Sequence, residues 1–240
     1  MSIRSSISPD PEAAARACSA AIEGILKDTL AERRTATLAV SGGSTPKLMM
    51  DQLATSDLDW SRVHIFFVDE RPVPPGDEQS NYTLCETHLL KPAGVPAENV
   101  HRIQAERAPA EAAEIYRCEI CDFFGLKQSD KPRFDVIQCG VGPDCHTASL
   151  FPAEPAIDDM DTLVAALPVP KLNQTRITML PAILLSARHL VVLATGPDKA
   201  EAIGHAVLDP YNPQQLPAQL VIRAAQSELF LDNASASQVA

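Results

Sequence analysis

The chain has 240 residues, 45% hydrophobic and 21% charged, and 20 Lys and Arg against 31 Asp and Glu give a formal net charge of -11. That balance fits a globular protein with a sizeable core and excludes collagen, coiled coil and disorder. An acidic chain repels polyanions at long range, which argues against nucleic acid or an anionic membrane surface as a partner, whereas a small anion needs only a local basic pocket.

Asp10, Pro11 and Glu12 read as a helix start, with a capping carboxylate, a proline in the first turn and an acid at the positive end. Ile22, Leu26 and Leu30 continue it as an i, i+4 stripe. Residues 37–40 (TLAV) read as a strand, followed by SGGSTP and a helix over 46–53. Residues 63–68 (VHIFFV) read as a second strand, running into DERPVPPGDEQSN and a helix over 82–90. A short strand at 100–103 and an amphipathic helix over 110–124 come next. Residues 134–138 (FDVIQ) are a strand that opens into CGVGPDCHTASLF. Short strands at 162–166 and 176–179 flank a proline-rich loop, and 181–187 is a helix. Residues 189–194 (HLVVLA) form a strand before TGPDK and a further helix, and 219–231 fits either state.

Apolar strand runs alternating with helices predict an α/β fold, a mostly parallel sheet with helices on both faces, with residues 1–240 as one domain. No run of about 18 apolar residues occurs, and MSIRSSISPD has no apolar signal core, so a cytoplasmic protein off the membrane is expected. Cys118 and Cys121 are the one close cysteine pair. They fall inside the 110–124 helix with no second pair to complete a zinc site, and read as helix-borne thiols.

Four unusual segments follow predicted strand ends: 41–46, 69–72, 140–146 and 195–199. In a parallel sheet these ends lie along one edge, where ligands bind, so the four loops are expected to share a crevice. Gly42 and Gly43 let backbone approach a ligand, and Ser44 and Thr45 add hydroxyls at the mouth of a helix, which suits a phosphate or a plain strand-to-helix turn. The spacing is neither that of a P-loop nor that of a dinucleotide fingerprint. Arg71 either pairs with the preceding carboxylates or offers a phosphate its fork of donors. Lys199, in a helix's first turn, sits where a cation is mildly unfavourable, which suggests a nearby anion or plain exposure. Arg176, at a strand start, fits a salt bridge equally well. Among six histidines His146 is singled out by its glycine-rich loop, as a base for water that Asp144, two residues earlier, would orient. Cys145 is a weaker rival nucleophile, because adjacent side chains diverge.

Together SGGSTP, FFVDERPVPP with SNYTL, GVGPDCHTASLFP and TGPDKAEAI resemble the 6-phosphogluconolactonases in order and spacing. The resemblance implies a Rossmann-like sheet similar to that of glucosamine-6-phosphate deaminase. It implies hydrolysis of 6-phosphoglucono-1,5-lactone, a phosphosugar lactone, to 6-phosphogluconate in the pentose phosphate pathway, with neither organic cofactor nor catalytic metal. By motif, His146 takes the place of the general base and residues 42–45 that of the phosphosugar loop. Arg71 matches the family's DER arginine, and Arg176 and Lys199 fall on the substrate's anionic side. Cys145 stands where the family pattern has glycine. If that position needs a positive φ, the cysteine costs roughly 1 kcal/mol or more, and a side chain there could also narrow the pocket. Two alternatives remain. One is a deaminase-type isomerase of the same fold with Asp69 as base, against which Arg71 and TASLF weigh. The other is a sugar-phosphate sensor, against which the lack of a basic recognition helix weighs.

Overall fold

Ala36–Val40 (β2) and His189–Ala194 (β9) are buried at almost every position. Successive strand side chains point to opposite faces, so burial of both sets requires cover on both sides of the sheet. The computed structural model describes residues 3–127 and 130–239. Around these two strands the first half of the chain supplies β1 (Arg4–Ser8), α1 (Pro11–Glu32), α2 (Ser44–Leu53), β3 (Val63–Phe67), β4 (Asp69–Glu70) and α3 (Asn81–Cys85). A π-helical turn, Glu86–Leu90, leads from α3 into α4 (Lys91–Ala93), and β5 (Val100–His101) and α5 (Pro109–Phe124) follow. The second half supplies β6 (Val136–Cys139), β7 (Val164–Val169), β8 (Gln174–Met179), α6 (Pro181–Leu184), α7 (Ala200–Leu208), α8 (Ala218–Ile222) and β10 (Ser227–Asp232).

Seven strands pair in parallel in the order β1-β10-β9-β6-β2-β3-β5. The chain winds from β2 toward β5 on one side, then restarts at β6 on the other. The loops after β2 and β6 therefore diverge at the switch in direction, which opens a crevice at the carboxyl edge. Gln138 closes the floor of that crevice: its side-chain oxygen accepts from Ser41 N at 3.1 Å and its carbonyl from Ser41 Oγ at 3.1 Å. A second, antiparallel sheet, β4-β8-β7, hangs from the same edge. Val68 joins the two, donating to Val40 O at 2.9 Å and accepting from Met179 N at 2.8 Å.

The α/β architecture expected from the sequence is present. Arg4–Ser8, to which the sequence reading gave no element, is the edge strand β1, and Asp69–Glu70, read as loop, is β4. Segment 219–231, ambiguous in sequence, divides into α8 and β10. Cys118 and Cys121 lie on α5 as free thiols. No helix among the described residues is long and apolar enough to cross a membrane.

Candidate active site

His146 owes its place to a tight turn after β6. Cys145 N donates to Gly142 O at 2.9 Å and Gly142 N to His146 O at 2.8 Å, which folds residues 142–146 back on themselves. The imidazole then lies directly over Gly142, where a Cβ would come within 2.0 Å of the ring. His146 Nδ1 meets Asp144 Oδ1, which leaves Nε2 as the free ring nitrogen once Nδ1 carries the proton. Cys145 adopts φ 65°, so the positive backbone angle foreseen for this position is present. Its side chain does not narrow the pocket. It is buried beneath the turn, with Sγ 3.6 Å from Ala202 O on α7, because the left-handed backbone directs it into the core. Burial pushes that thiol up to about 11, so it is protonated and a poor nucleophile at neutral pH.

The glycine loop faces His146 across the crevice. Gly43 has φ 109° just before α2. Gly42 passes so close to Asn81 that a Cβ would fall 1.8 Å from its side-chain oxygen. Ser44 and Thr45 open α2, and Thr195 Oγ1 lies 3.4 Å from Thr45 Oγ1, tying this loop to the one that carries Lys199. A cavity of about 190 Å³ lies between residues 41–46, Arg71, His146 and Lys199. It adjoins one of about 610 Å³ lined by Asp144, Lys171 and Arg176. Asp69, Arg71, Pro143, His146 and Ala148 line both, so the two form one cleft with the imidazole at the junction.

Arg71 is aimed by its neighbour. The buried Glu70 carboxylate accepts from the backbone N–H of Arg71, Asn81 and Tyr82, each at 2.8 Å, and from Ser80 Oγ at 3.0 Å. Among the described residues the Arg71 guanidinium reaches only the carbonyl of Gln79, and Arg176 only Gln174 Oε1 and Thr175 O. Burial and then the charge of Arg71 pull the Arg176 guanidinium below its ordinary range. Lys199 pairs with Asp198 at 3.0 Å. Burial pulls His146 down to about 4. The charge of Asp69 opposes the shift, and Lys199, Arg176 and Arg71 reinforce it. The site therefore holds a neutral base beside two guanidiniums, Arg71 and Arg176, with no carboxylate partner among the described residues, whereas Lys171 and Lys199 are paired with Asp144 and Asp198. Such an arrangement suits an anionic ligand.

All nine residues singled out in the sequence thus border one cleft. Arg176 arrives from β8 of the small sheet rather than from a loop at the main sheet edge. Four others were not assigned roles: Asn81, Ser149, Phe151 and Lys171. Asn81 and Ser149 hold Asp69, through Nδ2 at 3.1 Å to Oδ1 and Oγ at 2.6 Å to Oδ2. SNYTL and TASLFP mark three of these residues as parts of motifs. Lys171 carries no local signal at all. Among the described residues no group of three or more His, Cys, Asp or Glu side chains is placed to hold a metal ion.

The sequence profile of the family described as glucosamine-6-phosphate isomerases/6-phosphogluconolactonase matches residues 9–231. The 6-phosphogluconolactonase of Synechocystis sp. is 36% identical over 193 residues, 80% of this chain and 80% of that one. The solved 6-phosphogluconolactonase of Trypanosoma brucei superposes with a TM-score of 0.87 at 26% identity, covering 100% of this chain and 99% of the other. A monomeric glucosamine-6-phosphate deaminase superposes at 0.82 with 16% identity, covering 98% and 100%, and shares the fold alone.

Proposed function

The chain belongs to the family of glucosamine-6-phosphate isomerases and 6-phosphogluconolactonases, and we propose that it is a lactone hydrolase converting 6-phosphoglucono-1,5-lactone to 6-phosphogluconate in the pentose phosphate pathway. We place it in the cytoplasm, acting as one catalytic unit, with this phosphosugar lactone rather than nucleic acid or membrane as its partner. One observation carries the mechanistic reading: a half-buried imidazole, oriented by Asp144, stands at the junction of a cleft faced by Arg71, Arg176 and Lys199.

In this reading the N–H groups and hydroxyls of residues 42–45, with Lys199 and Arg176, hold the 6-phosphate, and Arg71 positions the sugar. His146 Nδ1–H donates to Asp144, so Nε2 takes a proton from water as its oxygen attacks the lactone carbonyl. The negative charge that develops on the carbonyl oxygen is met by N–H donors of the glycine loops. His146 then returns the proton to the ring oxygen as the bond from C1 to that oxygen breaks, yielding the open-chain carboxylic acid, which ionises to the carboxylate and releases its proton to solvent. The low pKa keeps the base unprotonated but weak. A bound phosphate offsets the surrounding cations and strengthens it at the moment it is needed.

The test is proton release from freshly prepared 6-phosphogluconolactone, corrected for spontaneous opening. His146→Ala is expected to lower kcat about 10²–10⁴-fold with the fold intact. Near-normal turnover in that variant would overturn the assignment. Release of ammonia from glucosamine 6-phosphate would point instead to the deaminase branch.

A further inference from the structure

Asp144 has two carboxylate oxygens and each has its own partner. Oδ1 meets His146 Nδ1, and Oδ2 is held by Lys171 Nζ. Lys171 comes from the 3-10 turn Pro170–Leu172 that joins β7 to β8, so the small sheet delivers it across to a loop of the large one. Its ammonium also lies 4.2 Å from the centroid of the Phe151 ring. That ring rests against the His146 imidazole with centroids 4.3 Å apart. Lys171, Asp144, His146 and Phe151 therefore close a ring of contacts, ion pair to hydrogen bond to ring contact to cation–π. The proposed reaction gives Lys171 no part.

We propose that Lys171 is a positioning residue for His146: it clamps Asp144 and cancels its charge, so that the carboxylate fixes the tautomer and direction of the imidazole without drawing a proton onto it. The proposal rests on the reading of His146 as the base. An unbalanced carboxylate in contact with an imidazole favours the imidazolium, which has no lone pair to offer water. Among the described residues six charged groups lie around the ring or its carboxylate partner. Asp144 and Lys171 form the clamp. Asp69 from β4 favours the charged ring, while Arg71, Arg176 from β8 and Lys199 oppose it. Asp69 already shares its charge with Ser149 and Asn81. Asp144 is then the carboxylate that needs a counter-charge, and the β7–β8 hairpin brings it one. Partial desolvation lowers the pKa of Lys171, while its ammonium keeps the Asp144 carboxylate as counter-charge.

Lys171→Met removes the charge and keeps the stem, and Lys171→Arg keeps the charge. The His146 Cε1–H resonance is titrated by NMR in both free proteins, alongside the pH profile of kcat/KM. With Lys171→Met the titration of His146 is expected to move up by about one unit, and the acid limb of kcat/KM with it. With Lys171→Arg both stay at the wild-type position. An unmoved His146 titration in the Met variant, or an equal shift in both variants, overturns the proposal. A lysine that only contacts substrate would raise KM without moving that titration. Because the resonance is read without substrate, the clamp stands or falls separately from the lactonase assignment, which the His146→Ala turnover decides.

Discussion

Cys145 shows how one residue can break a local rule at a working turn without touching the chemistry. A non-glycine residue at φ 65° costs about 1–2 kcal/mol, and glycine there would relieve it. The buried Cys145 side chain offsets most of that cost, since losing its packing forfeits about 1 kcal/mol. Cys145→Gly is therefore expected to change stability by less than about 1 kcal/mol in a urea melt and to leave kcat/KM unaltered, because Sγ faces Ala202 rather than the cleft. Gly142 is the opposite case. The His146 ring occupies the space of its missing Cβ, so Gly142→Ala must swing the imidazole away, with an expected loss of about 10²-fold in kcat and an unchanged far-ultraviolet spectrum. The imidazole's low pKa also sets two different pH limits. In the free protein His146 stays neutral down to about 4, so the acid limb of kcat/KM is expected there. Substrate phosphate masks Lys199 and Arg176, so the limb of kcat, which reports the bound state, is expected higher. Coincident limbs would show that the cations do not couple to the base. The same shift makes stability fall as pH drops from the ordinary histidine value toward 4, since in that window the unfolded chain binds a proton that the folded one refuses.

Among the elements, β4 has only two residues, yet it sets the geometry of both Arg71 and Asn81. Its Glu70 accepts four hydrogen bonds in a buried setting. Glu70→Gln turns an NH₂ toward donors that need an acceptor, with an expected cost of about 2–3 kcal/mol in urea unfolding and a rise in KM as Arg71 loses its anchor. An unchanged KM would mean that Arg71 is held by Gln79 alone. Local sequence does not mark β4 as a strand, since Asp69 and Glu70 read simply as charged loop. The large sheet was legible for the opposite reason: parallel strands covered on both faces become unbroken apolar runs such as TLAV and HLVVLA. β1 was not, because RSSIS is a half-exposed edge strand whose order comes from pairing with β10, Arg4 to Glu228 through Ser8 to Asp232. The same division runs through the site. Gly42, Gly43 and His146 announce themselves in glycine-rich loops. Ser149 reaches Asp69 across 80 residues of chain, and Lys171 reaches Asp144 across 27, contacts that only the completed fold creates.

The whole molecule sets a field opposed to that of its site. The chain carries a formal -11, while the cleft gathers Arg71, Arg176 and Lys199 around a neutral imidazole. A phosphorylated sugar approaching from bulk solvent meets net repulsion, and attraction takes over only within the cleft. At about 0.1 M salt the screening length is about 10 Å, so added salt weakens the distant repulsion more than the close, partly desolvated contacts. Capture here is therefore a short-range event, unlike the steering of an anion by a basic protein, where association drops by about tenfold or more as salt rises. Between about 0.05 and 0.5 M sodium chloride, kcat/KM is expected to stay within about threefold or to rise. Sulfate or phosphate at the same ionic strength is expected to raise KM, because each competes for the same cations. A steep fall of kcat/KM in sodium chloride would mean that the cations at 71, 176 and 199 act outward through solvent as an attracting patch, and that the acidic remainder of the surface has no part in how substrate arrives.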